Sequence, residues 1–281
     1  MGKVYEALQR AEAERGRRGA AVVPGVSSQP AAAAARRSHA DRGLLGRIWS
    51  RVQEQFRPAE IEDANTLNKR RIALLQPDSF VAEQFRSLRA RIDALAAERP
   101  VRTIGVTSSM PGEGKTTTAV NLAIVSSMSL GRRVLLVDCD MRRPKVHSAL
   151  GLRPECGLAE LLTGDATLDR AVMKVEGTNL DVLAVRATPS NPSELLASDR
   201  MRALVEELAH SYDQIIFDTP PTLAIPDAKI MSELMDGLVF VVRANATPRE
   251  DVASALDVLD RRRVLGLVLN DVAAEPERYG Y

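Results

Sequence analysis

The stretch Val101-Arg-Thr-Ile-Gly-Val-Thr-Ser-Ser-Met-Pro-Gly-Glu-Gly-Lys-Thr-Thr-Thr118 decides the fold of this chain. Its 103–107 segment, rich in β-branched residues, reads as a buried strand, a tight Pro/Gly loop follows, and a helix is predicted from near Lys115. Strand, glycine loop, Lys-Thr and helix in that order make a phosphate loop. Gly112 and Gly114 can take positive φ, which lets the amides of Gly112, Glu113, Gly114, Lys115, Thr116 and Thr117 curl around an anion. The helix N-terminus adds its partial positive charge. Lys115 then reaches the β- and γ-phosphates, and the Thr116 hydroxyl holds Mg²⁺. One departure stands out: Ser109 occupies the position where the GxxxxGK[ST] pattern has glycine. A bare glycine turn is the bland alternative, and the agreement of strand, loop, Lys-Thr and helix argues against it.

Downstream, a helix over 115–130 is predicted to stop at Gly131, a C-cap signal. The run RVLLVDCD (133–140) is a continuous buried strand closing on two carboxylates. Asp138 and Asp140 alternate with Cys139, so both point to one side at the strand's carboxyl end, where open parallel sheets hold their ligands. Arg142, Arg143 and Lys145 follow and are placed to meet phosphate or an acidic peptide. Short helices are expected over 157–162 and 165–175, a strand over 180–185, and a helix from Glu194 or Ser198 to His210. YDQIIFD (212–218) is another buried strand, with the hhhhD form of the second magnesium motif of phosphate-loop enzymes, so Asp218 orders the metal's water shell. A helix over 225–235 precedes two apolar strands, 237–244 and 265–272, which flank a helix over 249–263. Strands alternating with helices throughout mean a doubly wound, mostly parallel α/β sheet.

Upstream, 3–15 reads as a short amphipathic helix with Val4, Ala7, Leu8 and Ala11 on one face. Residues 16–42 are Ala/Arg/Ser/Pro-rich and read as a disordered linker. Within 43–70, the segment 44–57 sets Leu44, Leu45, Ile48, Trp49, Val52 and Phe56 at helical spacing beside Arg47, Arg51 and Arg57. That combination suits membrane-surface contact, but packing on the main domain or a partner is the preferred reading. A lead-in strand is expected over 72–76, and Pro77-Asp78-Ser79 starts a helix over 80–97. Its core stripe is Phe80, Phe85, Leu88, Ile92 and Leu95, with Glu83, Arg86 and Arg89 in a row on the polar side.

Composition narrows the function classes. With 281 residues and 45% hydrophobic content, the chain has material for one α/β domain plus extensions. A net charge of +1 gives no whole-protein case for nucleic acid, and 4% aromatics argue against base-stacking platforms. Cys139 and Cys156 form no disulfide framework or metal spacing, which points to a reduced, cytoplasmic protein with Cys139 a packed thiol. No apolar run approaches the ~20 residues of a membrane span, and no signal peptide is read. His39, His147 and His210 lack partner spacing for a metal. With Lys115, Thr116, Asp138, Asp140 and Asp218 on adjoining strand ends, the chemistry is Mg²⁺-assisted phosphoryl transfer from ATP or GTP, to water or to a protein hydroxyl.

SSMPGEGKTT (108–117), VLLVDCDMRRP (134–144) and IIFDTPP (215–221) together resemble the bacterial tyrosine kinases of polysaccharide export. The similarity runs over 79–272 and includes EQFRSLR (83–89), NPSELL (191–196) and VLN (268–270); the opening MGKVYEALQRAEAERG resembles exopolysaccharide and exosortase-associated members. The resemblance implies a deviant-Walker P-loop NTPase fold over 71–272 and an ATP-dependent protein-tyrosine autokinase. Lys115 and the loop amides then bind phosphates, and Thr116, Asp140 and Asp218 serve Mg²⁺. Asp138 accepts the tyrosine proton, Arg142 completes a DxDxR pattern, and Asn270 contacts the base. Glu83, Arg86 and Arg89 match the family's ExxRxxR self-association motif, so a ring is expected. The implied partner is a membrane-embedded chain-length-determinant activator on a separate chain, which holds the kinase at the cytoplasmic face of the inner membrane.

The family's tyrosine cluster is reduced here to Tyr279 and Tyr281, in the 273–281 tail. These two are the expected phosphoacceptors in a neighbouring subunit's site. Two other readings stand beside the kinase. The partitioning and division-site ATPases share the carboxylate-ended strands but carry a lysine early in the loop, where this chain has Met110 followed by Pro111. A nucleotide-gated scaffold of the export machinery would bind ATP without transferring phosphate.

Overall fold

A computed structural model describes residues 71–272. The readings made for 1–15, 16–42, 43–70 and the 273–281 tail with Tyr279 and Tyr281 lie outside the described residues. The chain enters through α1 (Ile72–Leu75) and α2 (Phe80–Glu98), and continues through β1 (Thr103–Ser108), α3 (Lys115–Ser127) and β2 (Val134–Asp138). Next come α4 (Val146–Leu150), α5 (Leu158–Thr163), α6 (Leu168–Ala171), β3 (Val172–Lys174) and β4 (Leu180–Leu183). Then follow α7 (Pro192–Leu196), α8 (Asp199–Ser211), β5 (Gln214–Asp218), α9 (Asp227–Ser232), β6 (Gly237–Arg243), α10 (Arg249–Val258) and β7 (Val264–Asn270).

The strands form one sheet in the order β3-β4-β2-β5-β1-β6-β7, parallel except for the β3–β4 pair. Period-2 alternation sends successive apolar side chains to opposite faces. Leu135, Val137, Ile215, Phe217 and Phe240 fill one core, beneath α5, α8, α9 and α10. Leu136, Ile216, Ile104, Val106 and Val241 fill the other, beneath α2 and α3. Helices on both faces make the sheet doubly wound, as the alternation of elements predicts. The registers place Asp138 beside Asp218 and Val106 beside Asp218, so the ends of β1, β2 and β5 stand level at one rim.

The structure corrects several expected elements. Residues 72–75 form a helical turn in place of the lead-in strand: the Arg71 carbonyl accepts from the amides of Leu74 and Leu75, and the Ala73 amide donates to Asn121 Oδ1 at 2.9 Å. Ser79 caps α2 as expected, its hydroxyl accepting from the Ala82 amide. Phe80, however, is 62% exposed and belongs to no core, because Ala82, Phe85, Leu88 and Ile92 are the residues of α2 that pack inward. Helix α3 ends at Ser127, three residues short of the expected 130, and Leu130 is fully exposed. The helix expected over 165–175 is one turn followed by β3. Val172 pairs with Leu183 and Lys174 with Asp181, across a turn made by Gly177 at φ 73. Of the two starts read for the helix to His210, Ser198 is the one found: it caps α8, and Glu194 belongs to the separate α7. The 249–263 helix stops at Val258 before a 3₁₀ turn at Arg261–Arg263.

Candidate phosphoryl-transfer site

The loop between β1 and α3 curls around its own amides. Gly112 and Gly114 sit at φ 84 and 98, the left-handed region anticipated for them. Glu113 braces the loop from inside: its carboxylate accepts from the Met110 amide at 3.0 Å and from the Thr247 hydroxyl. Burial is the main cause pushing its carboxyl above the usual carboxylate range, and those hydrogen bonds oppose it. Asn270 at the end of β7 donates Nδ2–H to the Glu113 carbonyl at 3.0 Å. It lies so close to Gly114 that a Cβ there would stand 2.0 Å from Asn270 Nδ2. The loop is therefore pinned from the loop after β6 and from the end of β7. Thr117 lies in the first turn of α3, and its carbonyl accepts from Asn121 Nδ2 at 2.8 Å.

Lys115 does not extend along the loop. Its ammonium donates to Asp140 Oδ2 at 2.7 Å and lies 3.8 Å from Asp218 Oδ1. Burial alone would lower its pKa, but Asp140 and Asp218 together raise it above the ordinary lysine value, so it stays charged. The Thr116 hydroxyl donates to Asp218 Oδ2 at 2.6 Å. Asp138 is fully buried beside them. Its Oδ1 accepts from the Asp140 amide, and its Oδ2 from the amides of Lys145 and Val146, each at 3.1 Å. Burial first, then the charges of Asp218 and Asp140, hold its carboxyl well above the usual range. The same surroundings push the Cys139 thiol up, burial again being the largest cause, which suits a packed thiol rather than a nucleophile.

Asp138, Asp140 and Asp218 thus gather buried carboxylate oxygens around the Lys115 ammonium, a donor set that suits a divalent cation. No group of three metal-ligating side chains forms an all-protein cage among the described residues. Mg²⁺ keeps waters and takes one or two carboxylates plus phosphate oxygens. Thr116, Asp218 and Asp140 are hard oxygen donors of the right kind.

Arg142 lies elsewhere on the rim. Its Nε donates to Asp227 Oδ2 at 3.1 Å and its NH2 to Ser193 Oγ at 2.8 Å, while Ser193 Oγ donates to Asp227 Oδ1. Asp227 and Ser193 are participants that sequence reasoning missed. Ser193 lies inside NPSELL, and Asp227 resembles any helix-start carboxylate. Thr247 was also missed, since nothing in its local sequence links it to Glu113. On α2, Arg86 pairs with Glu83 at 2.9 Å, while Arg89 donates to the Val125 carbonyl and Ser129 Oγ at the end of α3. The expected charged row is therefore partly tied down within the chain. Among the described residues His147 is half-buried, with its pKa lowered by burial.

An AAA domain model matches residues 101–257. The tyrosine-protein kinase YwqD of Bacillus subtilis is 39% identical over 213 residues, which cover 75% of this chain and 90% of that protein. The crystal structure of the chimerical protein CapA2B2 superposes with a TM-score of 0.69 at 34% identity, covering 73% of this chain and 91% of that one. The kinase domain of the Escherichia coli tyrosine kinase ETK gives a TM-score of 0.68 at 31% identity, covering 75% of this chain and 84% of that one.

Proposed function

The chain belongs to the bacterial tyrosine kinases, with the AAA domain at its centre, and from that membership we propose that it transfers the γ-phosphoryl of ATP to tyrosine hydroxyls. The single observation that carries this reading is the rim itself, where Lys115, Thr116, Asp138, Asp140 and Asp218 adjoin a phosphate loop with both glycines in left-handed backbone.

In this reading Lys115 leaves Asp140 when a triphosphate enters the loop. The amides of Gly112, Glu113, Gly114, Lys115, Thr116 and Thr117 then hold phosphate oxygens. Thr116, Asp218 and Asp140 hold Mg²⁺, which when bound neutralises charge on the transferring group. Asp138 takes the proton of the attacking phenol. Its raised pKa makes it a stronger base than an ordinary aspartate, and three backbone amides fix where it points. Arg142, steadied by Asp227 and Ser193, supplies positive charge at the rim, and Asn270, braced on the loop, is the proposed contact to the base.

Tyr279 and Tyr281 are the proposed acceptors, each entering the site of a neighbouring subunit in a ring that Glu83, Arg86 and Arg89 help to build. The proposed physiological role is control of exopolysaccharide polymerisation and export, under a membrane-embedded activator on a separate chain. Among the described residues no helix is long and apolar enough to cross a membrane. Met110 weighs against the partitioning-type ATPase: where that class has its signature lysine, this side chain is buried against Ala224.

A mixing experiment tests the transfer. A Lys115→Met chain with intact tyrosines is incubated with Mg·ATP and a Tyr279→Phe/Tyr281→Phe chain with an intact site. Radiolabel on the first chain is expected. A mixture in which neither chain takes label overturns transfer between subunits.

A further inference from the structure

The sheet ends in an apolar wall that nothing among the described residues covers. Strand β7 is one of the two edge strands, and its Leu267 and Leu269 are 56% and 64% exposed on the side of α10. With Val252 and Leu256 of α10 they line a groove of about 860 Å³, and Arg243, Arg249 and Arg261 stand around it. Large apolar side chains at that exposure, side by side on a sheet face and rimmed by cations, mark a docking surface.

We propose that this groove is the resting seat of the chain's own residues 273–281. Three observations point to that occupant. The first is continuity. Residue 273 follows directly from Val272, which is itself 59% exposed, at the end of the strand that walls the groove. Just before it Asp271 takes φ 59, a left-handed conformation that turns the chain out of the strand direction. The second is reach. Residues 273–281 extend at most about 30 Å, and β7 is about 23 Å long, so a reversed tail can lie along the whole groove. The third is chemistry. The sequence AAEPERYGY carries Glu275, Glu277, Tyr279 and Tyr281, and the groove offers leucines and guanidinium groups. Tyrosine rings bury well against leucine and beneath arginine, as the Arg133 guanidinium already lies 5.0 Å from the Tyr212 ring centroid. Arg243 pairs with Asp271 at 2.7 Å and Arg261 with Asp257, whereas Arg249 has no carboxylate partner among the described residues. Arg249 is thus the cation left for Glu275 or Glu277.

The seat also touches the nucleotide loop. Thr247 lines the groove and donates its hydroxyl proton to Glu113, so tail and nucleotide share a neighbour. If Tyr279 and Tyr281 are phosphoacceptors, as proposed above, the tail must leave this groove before it enters another subunit's site. The seat itself does not depend on phosphoryl transfer.

Hydrogen exchange read by mass spectrometry, without nucleotide and at two dilute protein concentrations, tests the seat. The full chain is compared with a chain ending at Val272 and with full-length Arg249→Glu. Exchange across 249–258 and 264–270 is expected to be slower by about tenfold in the full chain, independent of concentration, and fast in both others. A fluorescein-labelled peptide of residues 273–281 is expected to bind the shortened chain and to lose that binding when Arg249→Glu is added. Equal exchange in the full and shortened chains overturns the proposal, as does peptide binding indifferent to Arg249. Protection that rises with concentration assigns the groove to a second copy and overturns it too. None of these readouts requires kinase activity, so failure of the seat is distinct from failure of the kinase reading.

Discussion

Replacing Lys115 by methionine should destabilise the nucleotide-free protein in a pH-dependent way. The ammonium is buried, 2.7 Å from Asp140 and 3.8 Å from Asp218, and it is the cation that opposes the rise of the Asp138 pKa. Methionine fills similar volume, so the loss is electrostatic: the buried carboxylates lose the ammonium that lies against Asp140 and Asp218. Removing one partner of a buried ion pair costs about 3–5 kcal/mol, and proton uptake by Asp138, whose pKa burial already raises, places this case at the lower end, about 3 kcal/mol. For a domain of this size, that lowers Tm by about 6–12 °C. The sign with pH follows from Asp138. A carboxyl whose native pKa is raised stabilises the fold fully below its unfolded value, and that contribution is lost as pH rises through the native value. Without Lys115 the native value rises further, so between pH 5 and pH 8 the deficit of the variant should grow as pH rises. Circular-dichroism melts of both proteins across that range measure it. A Lys115→Met chain as stable as the parent at pH 8, or one whose deficit shrinks as pH rises, would refute this electrostatic picture.

Gly114→Ala should abolish nucleotide binding in a fluorescent-ATP titration, since the residue sits at φ 98 and its Cβ would stand 2.0 Å from Asn270 Nδ2; adding Asn270→Ala should not restore binding, because the left-handed backbone remains. Asp138→Asn should flatten the rise of kinase rate with pH that deprotonation of a general base produces, whereas Asp140→Asn should lower the rate and keep the rise; a pH–rate series on both variants separates the two carboxylates. Tyr212→Phe should cost about 1 kcal/mol in urea unfolding, because the Tyr212 hydroxyl donates to Asp181 at 2.9 Å. Burial first, then that hydrogen bond, push the Tyr212 pKa up to about 12.

Much of the site was legible because its parts sit where local sequence and global fold agree. The runs VLLVD and QIIFD are apolar throughout because both faces of a parallel sheet are covered, and each closes on its carboxylate where the strand leaves the core. The phosphate loop was equally plain, since Gly112 and Gly114 are needed for backbone geometry as well as for access. The errors came where length or context decides. Strand β3 has three residues, too few for a period to show, though the Glu-Gly-Thr-Asn turn after it was a usable hairpin signal. Phe80 matches an apolar stripe at a helix start but extends past the surface that could cover it, and Leu130 lies beyond the last turn of α3. Asp227, Ser193 and Thr247 look like ordinary polar surface in sequence. Their roles exist only through partners 85, 51 and 134 positions away.

The most direct test is a phosphotyrosine map of the purified full chain after incubation with Mg·ATP, run beside an inorganic-phosphate assay and a Lys115→Met control at a pH where that variant is folded. Phosphate on Tyr279 or Tyr281, absent from the control, is the predicted result. Release of inorganic phosphate with no modified tyrosine would contradict it and return the chain to the ATPases.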